Sequence, residues 1–394
     1  IDENKFSLFV NDRVRLNFYG DFLFPLTSEA KLDEYLKEPA EGEWCTELDI
    51  CRRKIWDSLN GNPLYIQRLS PSERIHFGTT KELLNIMTSD IEKYDYLHWQ
   101  YCTTSLGTVN KSNIINSEIE SGASIGKGCY IEDSYICSKA TVEDGCIISN
   151  VNLKSKMLIK KGTVLHLLPL YEEKNRKYVA RIYGVNDNPK DVLNNGITFL
   201  GFPISGWMKN NNINIEDLWD TENSLWEAKL YPVCDTEEEA INWAIKLQDS
   251  IDNKFDDKVL TEWKCMKRIN LRESYQLADV PAILKRFNLL EDRIQSRRFI
   301  DAIKKGKWVE EVLLLLGKNK TALRRMKIIY QIAENVRKSD PILAMRIYRS
   351  LAEASLKLNI NNGEICFDNL ENLSFNIINK AISFSFFVCS FYKH

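Results

Sequence analysis

The stretch "IINSEIESGASIGKGCYIEDSYICSKATVEDGCI", residues 114–147, places an apolar residue every five or six positions, with small residues and glycines between. An amphipathic helix repeats every 3.6 residues and a half-buried strand every 2, so neither gives this spacing. In blocks of 17 the chain aligns with itself as IINSEIESGASIGKGCY (114–130), IEDSYICSKATVEDGCI (131–147) and ISNVNLKSKMLIKKGTV (148–164). Ile114, Ile131 and Ile148 fall in register, as do Ile119, Ile136 and Leu153, and then Ile125, Val142 and Ile159. Gly128, Gly145 and Gly162 recur at one corner, where a positive φ favours glycine.

Three short strands per block, each with one inward aliphatic side chain, describe a triangular coil. Coils stacked at a strand spacing of about 4.8 Å set identical positions above one another and bury a continuous ladder. The pattern resembles the hexapeptide-repeat left-handed β-helix, with hexads starting at Ile119, Ile125, Ile131, Ile136, Val142 and Ile148. Three aligned copies predict about three coils. Cys129 and Cys146 stack in this scheme and are expected as a buried pair of thiols rather than a disulfide. Such a scaffold does not fix function. Hexapeptide acyltransferases carry a catalytic His within many coils, whereas residues 114–164 contain no His, which argues against that activity.

The rest of the chain bounds the answer more loosely. At 394 residues it is too long for one core, and two or three domains are expected. A composition of 44% hydrophobic and 27% charged residues with net charge −2 is that of a soluble globular protein and gives no sign of a nucleic-acid partner. Ten cysteines without a CxxC or a Cys/His cluster argue against zinc and for reduced thiols in a cytoplasmic setting. No apolar run reaches the roughly 18 residues of a membrane span.

Ahead of the repeat, "RVRLNFYGDFLFPL" (13–26) is expected to start as a strand with Val14, Leu16 and Phe18 on one face, then turn through Gly20 and Asp21. Leu48, Cys51, Ile55 and Leu59 have helical spacing. "LYIQRL" (64–69) reads as a second strand. "SPSERIHFGTTKELLNIMTSDI" (70–91) reads as a strand, a Gly-Thr turn and a helix with Leu83, Leu84 and Met87 inward. Alternating strands and helices predict an open α/β sheet.

The placing of "FGTT" between a strand and a helix, just before a β-helix, resembles the end of a sugar-nucleotidyltransferase domain. In that superfamily the closing strand carries Asp-X-Gly-Thr beside the metal and sugar phosphate. Here it reads His76, Phe77, Gly78, Thr79, with His for Asp. Together with "NFYGDFL", "IHFGTT", "RIYGVNDNPKD" (181–191), "TFLGFPISGW" (198–207), "SLWEAKLYPV" (224–233) and "WKCMKRINLRESYQLAD" (263–279), the chain is similar to the GDP-fucose pyrophosphorylase family. It resembles the central portion of the bifunctional form fused to an L-fucokinase, from about residue 5 to 358.

The resemblance implies formation of GDP-fucose and pyrophosphate from GTP and fucose 1-phosphate, with Mg2+ neutralising the phosphates. It also implies roles for particular residues. Asp21 would ligand the metal or orient the sugar phosphate, although a helix cap explains it equally. His76 would contact phosphate or fucose, and Gly78 and Thr79 would turn backbone N–H groups to the ligand. Trp226 and Lys229 would stack on and pair with the sugar phosphate, although a Trp in an apolar segment is ordinarily core. No residue is assigned as catalytic. The family's Gly-rich phosphate loop is missing, since the nearest candidate, "SGASIGKG" (121–128), lies inside the coils. No glycine-rich kinase motif follows residue 280.

After the coils, residues 165–260 read as mixed β and α, with a turn at "NNNIN" (210–214) and Trp207, Trp219, Trp226 and Trp243 packing onto the coils. From about residue 266 the chain turns helical, with starts at Asp279-Val280-Pro281 and Ser339-Asp340-Pro341. Residues 285–349 hold 17 Lys/Arg against 7 Asp/Glu, interleaved with apolar residues as on a solvated helical face.

The expected architecture is therefore α+β and multidomain. Residues 1–100 form the end of an α/β nucleotidyltransferase domain, 101–262 a left-handed β-helix with a packed extension, 263–360 a helical linker and 361–394 an atypical tail. The opening at Ile1 and the Phe/Ile/Ser/Asn-rich tail are read as fragment boundaries or a frame-shifted end, with a buried C-terminal strand as the alternative for the tail, so the chain is expected to be an incomplete enzyme, inactive alone. The alternative is a non-catalytic β-helix module for interaction or homo-oligomerisation. A start directly before Ile1 would favour the module, and an upstream Gly-rich loop the enzyme.

Overall fold

A computed structural model of the chain describes residues 9, 14–40, 44–65, 67, 68, 70, 72, 75–89, 91–97, 102, 103, 112–171, 176–193, 196–220 and 223–361. It comprises two compact units, Ile1–Ile75 and His76–His394. Most of the tail, 362–394, lies outside the described residues, as does the opening at Ile1.

The first unit corrects the strands expected there. Instead of extending, the chain at Asn17 enters a helical turn, Phe18–Leu23, followed by Phe24–Leu26. The Asn17 side-chain oxygen accepts from the backbone N–H of Tyr19 at 2.8 Å and of Gly20 at 3.1 Å, satisfying the donors that open a helix. Phe18 consequently faces solvent while Val14 is buried, so the expected alternation fails. Leu64, Tyr65, Gln67 and Arg68 form no strand, and Ile66 and Leu69 lie outside the described residues. No strand occurs among the described residues of this unit, so the open α/β sheet expected here is not seen. Helix α1 (Thr46–Leu59) forms as its spacing predicts, with Leu48, Cys51 and Ile55 buried.

The second unit begins with helix α2 (Thr80–Thr88). Thr79 caps it, accepting from the Glu82 N–H, while the Glu82 carboxylate accepts from the Thr79 N–H at 2.9 Å. Leu84 is buried, and Leu83 and Met87 are half-buried. Of the strand expected before it, residues 72 and 75–78 take no strand conformation, and 71, 73 and 74 lie outside the described residues.

The coils follow the predicted register. Strands β1 (Cys102–Thr103), β2 (Asn113–Ile115), β5 (Tyr130–Glu132), β8 (Ile147–Ser149) and β11 (Thr163–Leu170) pair in parallel to build one face. β3 (Glu118–Ile119), β6 (Tyr135–Ile136) and β9 (Asn152–Leu153) build the second, and β4 (Ser124–Ile125), β7 (Thr141–Val142) and β10 (Leu158–Ile159) the third. Ile114, Ile131, Ile148 and Leu165 are stacked partners, as are Ile119, Ile136 and Leu153, and Ile125, Val142 and Ile159. The result is a parallel β-solenoid of about three turns. Gly128, Gly145 and Gly162 take φ of 65°, 68° and 67° at the recurring corner. A second corner, not recognised in the sequence, uses Asn116, Asp133 and Asn150 at φ 44°, 47° and 59°, the residue types that best tolerate this region. Cys129 and Cys146 are buried free thiols.

The solenoid is closed by β12 (Lys177–Gly184), which pairs antiparallel with all eight residues of β11. Helix α3 (Glu237–Asp252) and helix α4 (Asp257–Cys265) extend the same core, in which Trp207, Trp219 and Trp243 are buried and against which Trp226 packs. After the short helix α5 (Leu271–Gln276), the helical part opens with α6 (Val280–Lys304), capped by Asp279 with Pro281 in its first turn. It is completed by α7 (Asn319–Val336) and α8 (Pro341–Asn361), the latter capped by Asp340. Residues 299–358 supply a second core around Phe299, Met326, Ile347 and Leu351.

Candidate functional site

Because side chains alternate along a strand, the residues beside the buried ladder of the first solenoid face point outward. One outer row is apolar. Tyr130, Ile147 and Val164 pack there with Tyr183 beneath Leu84 and Met87 of α2. The next row is polar. Cross-strand register sets Glu132 beside Ser149, Ser149 beside His166, and His166 beside Arg181.

Each group in this row is held. The Glu132 carboxylate accepts from the Ser149 hydroxyl at 2.7 Å and from the Tyr130 hydroxyl at 2.6 Å. Arg181 is 1% exposed and donates to the Ser274 hydroxyl at 3.3 Å and to His166 Nδ1 at 2.5 Å. Its guanidinium lies 4.2 Å from the centre of the Tyr275 ring. No ion pair to Arg181 occurs among the described residues, and its Nε has no partner. An arginine only donates, so Nδ1 of His166 accepts and the imidazole proton sits on Nε2. Burial, and then the neighbouring guanidinium, push the His166 pKa well below its ordinary value, so the ring stays neutral. His166 is half-buried.

The residues expected at the site distribute around this face unevenly. His76, Gly78 and Thr79 lie together at the start of α2, but the N–H groups of Gly78 and Thr79 are taken by Glu82 at 3.0 and 2.9 Å. The exposed His76 ring lies 3.3 Å from the same carboxylate. α2 reaches the sheet face through Thr80, whose side chain meets Tyr183. Trp226 stacks on Tyr275, with ring centres 5.7 Å apart and planes 25° from parallel, and so joins Arg181 through that ring. Lys229 turns instead to Asp220. Asp21 belongs to the first unit. Its Oδ1 accepts from Arg52 Nε at 2.7 Å and its Oδ2 from the Asn17 N–H at 2.5 Å, while Tyr35 donates to its carbonyl. With both oxygens committed and the side chain 1% exposed, Asp21 is poorly suited to hold Mg2+. Among the described residues no group of three His, Cys, Asp or Glu side chains is arranged for a metal.

His166, Arg181 and Tyr275 were not singled out in the sequence. Arg181 and Tyr275 stand in two of the quoted phrases, and His166 lies just beyond the 17-residue blocks, which end at residue 164. Their proximity depends on the antiparallel closure by β12, which the 17-residue repeat does not contain.

The sequence matches the fucose pyrophosphorylase domain over residues 3–236. It is 28% identical over 260 residues to the human fucose-1-phosphate guanylyltransferase, covering 61% of this chain and 42% of that protein. It is 27% identical over 259 residues to the Arabidopsis thaliana bifunctional fucokinase/GDP-fucose pyrophosphorylase, covering 62% of this chain and 24% of that protein. The chain thus spans less than half the length of these relatives. No solved structure matches it. Since the matched domain runs through the first unit, the whole solenoid and the Trp226 segment, the chain belongs to the fucose pyrophosphorylase family.

Proposed function

We propose that this chain serves the transfer of a guanylyl group from GTP to fucose 1-phosphate, releasing pyrophosphate and forming GDP-fucose. The observation that carries the reading is the family match over residues 3–236, which contains most of the phrases that first suggested it. In such a reaction the sugar phosphate attacks the α-phosphorus, and fixed donors and cations stabilise the charge that builds on the phosphate oxygens. Mg2+ accompanies the nucleotide in this reading, with no ligand named from these residues and no step assigned to it. His76, Gly78, Thr79, Trp226 and Lys229 remain the substrate-side candidates, and a cytoplasmic setting fits ten unpaired-by-pattern cysteines.

The finer architecture belongs to the same proposal. The solenoid is taken as the left-handed hexapeptide kind, residues 1–100 as the end of a nucleotidyltransferase domain, and 263–360 as a spacer. With no Gly-rich phosphate loop in its 394 residues, the chain alone is expected to bind the sugar-phosphate side of the reaction and to turn over poorly. Calorimetric titration with GDP-fucose and with GTP, each with Mg2+, tests this. Binding of GDP-fucose, weakened by His76→Ala, is expected. Absence of binding to either ligand, from a chain that unfolds cooperatively, would leave the non-catalytic solenoid module in its place.

A further inference from the structure

Arg181 presents a physical problem. A guanidinium that is 1% exposed, with one nitrogen unpartnered and no carboxylate paired to it among the described residues, is a buried charge with no anion to balance it. Such a charge is costly to bury unless an anion or dense hydrogen bonding offsets it. The groups around it, Ser274, Tyr275 and His166, are neutral. The nearby carboxylate of Asp187 is spent on the N–H groups of Gly184, Leu200 and Gly201 and on the Thr198 hydroxyl.

His166 relays this charge outward. Its Nδ1 is fixed by Arg181, and it makes no other hydrogen bond, so Nε2–H is a donor without a partner among the described residues. The cation behind it polarises that N–H and opposes protonation of the ring, keeping one directed donor rather than a mobile charge. Tyr275 covers the guanidinium yet is 54% exposed, so its ring has room to swing away.

We infer that the His166–Arg181 pair is a binding site for a phosphoryl group. A phosphate oxygen accepts from His166 Nε2–H, and displacement of the Tyr275 ring brings the Arg181 charge to the anion. Trp226, already stacked on Tyr275, stands beside the group that carries the phosphate. The choice of a sugar phosphate as one probe rests on the nucleotide-sugar reading above, whereas the phosphoryl site itself does not.

The chain has four histidines, His76, His98, His166 and His394, so imidazole 15N resonances can be assigned by substitution and followed individually. Titration of the full chain with inorganic phosphate, fucose 1-phosphate and neutral fucose is the test. The expected result is a shift of the His166 resonances, in the Nε2–H tautomer, with both phosphates and not with fucose. His166→Ala should weaken calorimetric binding of the responding phosphate about tenfold, and His166→Gln, which returns an N–H near Nε2, should restore most of it. Tyr275→Ala, at an exposed position, should tighten phosphate binding several-fold by uncovering Arg181. A response to inorganic phosphate alone supports the site and makes free phosphate or pyrophosphate its ligand. Binding of fucose 1-phosphate or GDP-fucose with His166 unmoved overturns this inference and leaves the proposed function intact. Failure of every phosphate to move His166 in the folded chain overturns it as well.

Discussion

The ion pair of Asp21 with Arg52 has both partners 1% exposed, and the same guanidinium donates to the carbonyls of Glu38 at 2.8 Å and Pro39 at 3.3 Å. Removing the carboxylate strands that charge in the interior, so Asp21→Ala should destabilise the first unit by about 3–5 kcal/mol in urea unfolding. A variant of unchanged stability that loses GDP-fucose binding would instead return Asp21 to the site. The sequence shows a turn at Gly20–Asp21, but not a partner 31 residues away. Asp133 makes the matching case at the Asn corner. Burial lifts its pKa to about 6, with Asn116 donating against that shift, Glu132 adding to it and Arg286 opposing it. A carboxyl whose folded pKa lies above its unfolded value of about 3.9 stabilises the fold below that value and loses the contribution as pH rises through about 6. Asp133→Asn keeps a residue suited to φ 47° and removes the titration. It should therefore be more stable than the parent at pH 7, on the order of 1–2 kcal/mol after solvent screening, with the gap closing by pH 4 in paired urea melts. A gap that persists at pH 4 would assign the effect to something other than this carboxyl.

Among the elements, legibility followed sequence distance. A solenoid coil repeats its own inward positions every 17 residues, so the ladder of Ile114, Ile131, Ile148 and Leu165 is written locally and its register was readable. Helix starts at Asp279 and Asp340 were readable for the same reason, since cap and proline are neighbours. The strand expected at 14–18 failed because short apolar alternation does not distinguish a strand from a capped turn, and Asn17 decided for the turn. The polar row of the candidate site was not readable either. His166 and Arg181 meet only through the β11–β12 pairing, and Tyr275 arrives from α5. The ladder itself makes a quantitative prediction. Ile148 is fully buried between Ile131 and Leu165, and Ile148→Ala should cost about 2–5 kcal/mol, while Leu158→Ala, on an outward position 42% exposed, should stay within about 0.5 kcal/mol. Equal effects in chemical unfolding would contradict the assignment of inward and outward positions.

At the scale of the molecule, the second unit is a solenoid and a helical bundle joined along one helix, the 25-residue α6, about 37 Å long. Its first half lies on the solenoid. The Phe287 carbonyl accepts from Asn116 at 3.2 Å, Arg286 donates to Glu237 at 2.9 Å, and Arg293 and Arg297 both pair with Glu118. Its second half enters the bundle core through Phe299, Ile300 and Ile303. The basic bias of 285–349 is partly explained by these pairs, which use cations to fasten one element to another rather than to attract a distant partner. Between the halves stands Asp292, 1% exposed, which accepts from Arg324 Nε at 2.6 Å and Arg325 Nε at 2.8 Å. Cores that share a single helix open separately when one is weakened. Asp292→Ala leaves the buried Arg325 only the half-exposed Glu291, 3.3 Å away, and strips Arg324 of its ion-pair partner, a loss of about 2–4 kcal/mol placed in the bundle. Hydrogen exchange should then speed up in α7 and α8 while the amides of the solenoid ladder keep their protection. A uniform rise across both would mean that α6 transmits the loss and that the second unit folds as one cooperative body.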